Sequence, residues 1–87
     1  MAPVGFRIVS GHGTVQAEIS CNGEHAGQGD YFATVTIRGQ MQGQPVYGID
    51  PVQALTLGLR LIEDLTQDQR AAAADAGEVW RLEAWQP

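Results

Sequence analysis

The sequence predicts an α+β fold: an antiparallel sheet of four to five strands (β-β-β-β-α-β along the chain) packed on one face by a long helix. Three observations carry this. The first half alternates apolar and polar residues with period two, the pattern of strands with one buried side. Residues 47–65, YGIDPVQALTLGLRLIEDL, join a helix-start signal to a run that is apolar over more than one face. After a helix stop at Ala76-Gly77, a last alternating stretch runs from Glu78 to Trp85.

The strands follow in order. Val4, Phe6 and Ile8 share one face, and Ser10-Gly11-His12-Gly13 makes a turn. Val15, Ala17, Ile19 and Cys21 then share a face against Thr14, Gln16, Glu18 and Ser20, so the two runs form a hairpin. Residues 22–30 (NGEHAGQGD), with three glycines and no large apolar group, are expected to be a loop. Tyr31, Ala33, Val35 and Ile37 alternate with Phe32, Thr34, Thr36 and Arg38. Residues 39–44 (GQMQGQ) make the next turn, and Pro45 confines the strand Val46 to Ile49 to an edge or a short length. In the closing strand Trp80, Leu82 and Ala84 alternate with Val79, Arg81, Glu83 and Trp85.

The helix start is written in three residues. Asp50 caps the free N–H groups, Pro51 sits where a missing N–H costs nothing, and Gln53 has the spacing to reach back to the cap residue. Stepping ~100° per residue gathers Gln53, Thr56, Arg60, Glu63, Asp64 and Gln67 into one polar arc. Val52, Leu55, Leu59 and Ile62 suffice to pack on a sheet; Leu57 and Leu61 are then surplus, and Gly58 between them lets another backbone approach. A straight helix from Pro51 to Ala74 would measure about 36 Å, too long for so small a domain. A kink or break is therefore expected near Thr66, with Thr66-Gln67-Asp68-Gln69 capping a second segment.

With 87 residues the chain forms one domain, 1–87, and buries about 60–65% of its unfolded surface, which favours a dimer or a bound partner. Its 44% apolar and 17% charged residues are those of a globular protein. All five basic residues are Arg, the composition of a GC-rich bacterial coding sequence. A net charge of −5 and a pI near 4.6 supply no phosphate-neutralising surface, which argues against nucleic acid and anionic membranes and is compatible with a basic protein partner. Cys21 stands alone, so no intrachain disulfide forms and a reducing compartment is expected. No stretch reads as a signal peptide or a membrane span, and the expected location is cytoplasmic.

Chemistry is harder to place. Cys21, Glu24, His25 and Asp30 include a Cys-x-x-x-His spacing, but the remaining ligands would be carboxylates on a glycine-rich segment, whereas structural zinc needs four rigid ligands. Cys21 also fits the buried face of its strand. Gly11-His12-Gly13 is followed by a strand, where a phosphate loop would open a helix. Asp50 is a cap, Glu63 and Asp64 lie on the polar arc, and no Ser or Cys carries a nucleophile motif. No catalytic residue, cofactor or metal site is assigned. The expectation is a small non-enzymatic protein-binding domain, an immunity-type or regulatory inhibitor of a partner protein, or a homodimer. Leu57, Leu61, Phe32 and Trp85 are its candidate contact residues. The alternative is a small enzyme or a ligand- or metal-binding domain using His12, Glu24 and His25.

Tyr47-Gly48-Ile49-Asp50, leading into Gln53-Ala54-Leu55, with Leu59 and Ile62 continuing the helix and Trp80 in the closing strand, resembles a family of small, uncharacterised bacterial domains of unknown function. That family pairs an aromatic-Gly-(Ile/Val)-Asp element with a Gln-Ala-Leu helix, strands before it and a short Trp-containing strand after it. Pro51 and the alanines 71–74 depart from the pattern. The resemblance implies the fold and contributes no catalytic residue.

Overall fold

A computed structural model describes residues 4–25 and 31–85, apart from the side chains of Val4, residues 22–25 and Trp85. Five strands and two helices follow one another: β1 (Val4–Ser10), β2 (Gln16–His25), β3 (Tyr31–Ile37), β4 (Met41–Gly48), α1 (Pro51–Leu65), α2 (Gln67–Asp75) and β5 (Trp80–Trp85). The sheet is antiparallel in the order β4-β3-β2-β1-β5, so the last strand returns beside the first. The α+β class, the strand succession and the break at Thr66 are as the sequence predicts.

Two strand boundaries differ. The expected 22–30 loop does not begin at residue 22, because β2 continues through Asn22 and Gly23 to His25, opposite Tyr31; the rest of that segment, 26–30, lies outside the described residues. Its register slips between Cys21 and His25, the irregularity that glycine in a strand marks. The expected 39–44 turn is also shorter: Gln40 N–H bonds to Ile37 C=O, and β4 already begins at Met41. Pro45 lies in β4, which is an edge strand as expected.

The α1 start repeats the predicted cap with one change. Asp50 accepts from Gln53 N–H at 2.7 Å, while the Gln53 side chain reaches past the cap residue to Ile49 N–H, also at 2.7 Å. At the break, Thr66 is buried and does not cap α2. Its hydroxyl bonds back to Ile62 C=O at 2.6 Å. Arg70 Nη2 donates to Glu63 C=O and Gln40 Nε2 to Leu65 C=O, so side chains meet carbonyls that the interrupted helix leaves free. α2 stops at Ala76, where Gly77 turns left-handed with φ 69°.

The core lies between α1 and the sheet: Ala17, Ile19, Ala33, Val35, Ile37, Ala54 and Ile62. The helix rests on its small residues. Ala54, Gly58 and Ile62, four apart, face inward. A Cβ on Gly58 would stand 2.6 Å from Ile19 Cδ1, and one on Gly48 2.5 Å from the Ala54 nitrogen. Gly58 therefore serves this chain's own sheet and not a second backbone. The expected inward set is corrected as well: Val52 is 73% exposed and Leu59 46%, because a helix seated on alanine and glycine carries its larger side chains to its flanks. Leu61 packs against the core on one flank, with Leu57 half-buried on the same side.

Candidate functional site

α1 packs on β2, β3 and β4. Five strands ~4.8 Å apart span about 20 Å, whereas a helix covers about 10 Å, so one helix closes half of this sheet. The other half, β1 and β5, presents Phe6, Ile8, Trp80 and Leu82 on the same face. Phe6, Trp80 and Leu82 are exposed, Leu82 by 69%. The alternation of Val4, Phe6, Ile8 and of Trp80, Leu82, Ala84 set these residues on the helix side; what the sequence does not reveal is that α1 borders them without covering them.

A trough results between α1 and β5. One section of about 220 Å³ is lined by Phe6, Ile8, Ile19, Leu55, Leu59 and Leu82, all of them apolar. It continues past Ile8 and Leu59 into a section of about 250 Å³ that reaches Trp80 and ends on Glu63 and Arg70. Leu59 forms the wall shared by both sections. The trough holds no convergent chemistry: it can bury apolar surface, with one acid and one base at its end.

The opposite face of the sheet is polar. Arg7 Nε meets Glu18 at 2.9 Å, Arg81 meets Glu83 at 3.4 Å, and Arg38 Nη1 donates to Gln16 at 2.9 Å. These groups line a shallow depression and largely satisfy one another.

Of the predicted contact residues, Leu57, Leu61 and Phe32 do not share one surface. Leu57 and Leu61 flank α1 on the side away from the trough, and Leu61 packs against the core. Phe32 lies on the opposite face of the sheet, its ring 6.2 Å from that of Tyr47 and tilted by 46°. Trp85 is placed by its backbone, opposite Gly5, and its side chain lies outside the described residues. Sequence reasoning missed Leu59, Leu82, Trp80 and Phe6. The signal that finds them is the strand count set against the width of one helix.

His12 sits in the exposed turn after β1, where its N–H donates to Glu78 Oε1 at 2.7 Å and Thr14 Oγ1 to Glu78 Oε2 at 2.5 Å. The Thr14 hydroxyl above all holds the Glu78 carboxyl below its ordinary pKa; desolvation opposes it, and His12 and Ser10 add smaller lowering effects. Glu78 thus latches the β1–β2 turn to the segment leaving α2, a structural task. The side chains of Glu24 and His25, and Asp30 altogether, lie outside the described residues; Cys21 is buried on its strand. Among the described residues no three His, Cys, Asp or Glu side chains gather as a metal site, and no helix is long and apolar enough to cross a membrane.

No family model, curated protein or solved structure matches this chain.

Proposed function

We propose that this is a non-enzymatic protein-binding domain of the immunity or regulatory-inhibitor kind, which receives an apolar-faced helix of its partner in the trough between α1 and β5. The uncovered apolar half-sheet is the observation that carries the reading. Its width equals one helix, and the other half of the same face shows what closes such a surface. Contiguous exposed apolar surface on a monomer marks an interaction site. The net charge of −5 favours a partner helix whose solvent face is basic. The resemblance to small bacterial domains of unknown function fits a module that works by contact.

Site-specific photo-crosslinking in a bacterial host tests this. A crosslinker at Leu59 or Phe6 should trap one partner protein that a crosslinker at Gln42, on β4, does not. The adduct should vanish with Trp80→Asp. Identical adducts from both sides of the molecule, or none from the trough, refute the reading.

A further inference from the structure

The two edges of the sheet are not alike. β4 carries Pro45, and its ladder with β3 shifts register between Val35 and Ile37. Both features blunt an edge against pairing. β5 has neither proline nor bulge, and its ladder to β1 runs unbroken from Ser10↔Trp80 to Gly5↔Trp85.

Hydrogen-bond parity shows which groups β5 offers outward. Ser10 N–H donates to Val15 C=O, towards β2. In the unbroken β1–β2 ladder, Ile8 and Phe6 must point the same way, leaving Val9, Arg7 and Gly5 to bond β5. Their partners Arg81, Glu83 and Trp85 spend their backbone groups on β1. Trp80, Leu82 and Ala84 therefore direct N–H and C=O to the free edge. Arg38 N–H donating to Gln16 C=O, towards β3, fits the same parity from the far side of β2.

We infer that β5 pairs antiparallel with β5 of a second copy of this chain, with Leu82 on the two-fold axis. In that register Leu82 faces Leu82 of the second copy, and Trp80 faces Ala84, each as a hydrogen-bonded pair. Arg81 falls opposite Glu83 of the second copy, twice by symmetry, in the non-hydrogen-bonded pairs where side chains approach most closely. Centring the axis on Arg81 or on Glu83 sets like charges opposite each other. A shift by one residue turns the apolar face outward. The side chains of one short strand thus select a single self-complementary register. Arg81 and Glu83 are 64% and 43% exposed, free to be shared with a neighbour. The inference stands apart from the proposed partner helix: the dimer leaves both troughs on one face, side by side, filled or empty.

Sedimentation equilibrium tests the pairing. The chain should show a concentration-dependent mass approaching twice 9.3 kDa. Arg81→Glu and Glu83→Arg, each setting like charges opposite, should weaken the dimer about tenfold, while the double exchange R81E/E83R should restore it. Circular dichroism of the single variants should match the parent, since Arg81 is exposed and Glu83 only half-buried. In a Cys21→Ala background, Leu82→Cys should oxidise to a linked dimer, because directly opposed hydrogen-bonded residues stand ~5.5 Å apart at Cα, within disulfide reach. A monomer at ~1 mM, above any useful affinity, overturns the pairing. A dimer indifferent to both charge reversals, or one that fails to link through Leu82→Cys, overturns the register.

Discussion

The two halves of the helix-side face are built from similar residues and reach opposite ends. Over β2–β4, Ile19, Val35 and Ile37 are sealed beneath α1. Over β1 and β5, Phe6, Ile8 and Leu82 form the same kind of surface and stay open to the trough. Strand pattern does not distinguish them. The difference lies in the helix, which settles where Gly48 and Gly58 allow it closest and is too narrow to reach further. Burial here follows from how near one element can come to another, as well as from how apolar each is.

Substitutions in the two halves should separate sharply. The largest effect is expected in the closed half, where Ile19→Ala should cost about 4 kcal/mol, read as a fall in urea midpoint. Gly48→Ala should follow at about 3 kcal/mol, because its Cβ meets backbone that cannot step aside. Asp50→Ala removes the bond to Gln53 N–H and should cost about 1 kcal/mol; an unchanged midpoint would mean that the cap does not anchor α1. In the open half, Leu82→Ser should stay within about 0.5 kcal/mol in dilute protein. A cost there comparable with Ile19→Ala would break the comparison outright.

The smallest effect concerns Glu78. Its folded pKa lies below the unfolded one, chiefly through the Thr14 hydroxyl, so the latch stabilises the fold above the ordinary glutamate range. That contribution is lost as pH falls through the lowered value. Glu78→Gln should lower the urea midpoints slightly at neutral pH and leave those below the lowered pKa nearly unchanged, which flattens this part of the acid limb in a pH series. An identical acid limb in the variant would show that the latch contributes nothing.

Much of the fold was legible in residues whose meaning is local. Period-two alternation marked the strands, Asp50-Pro51 the helix start, Ala76-Gly77 its stop, and Pro45 an edge. The misread features depend on contacts between elements. Choosing the large apolar residues of the helical wheel as the inward stripe pointed Val52 and Leu59 inward, whereas the approach permitted by Ala54 and Gly58 decides the facing. The same error made Leu57 and Leu61 surplus and hid Leu59. Gly23 read as loop because a glycine in a strand and one in a turn look alike until the opposite strand is known. The open half-sheet was within reach of arithmetic, since α1, the helix that packs across β2–β4, does not match five strands in width.

The pairing of the first strand with the last has a consequence for synthesis. Gly5 lies opposite Trp85, so the β1–β5 ladder closes nearly the whole chain into a loop. The β1–β2 and β3–β4 hairpins need nothing but neighbouring residues and can form while the chain is emerging from the ribosome. β1 must then wait, its outer edge unpaired, until residues 80–85 arrive. Closing so long a loop is the slow, high-contact-order step, which makes β5 the last strand to dock and β1 the edge that a chaperone would have to guard meanwhile.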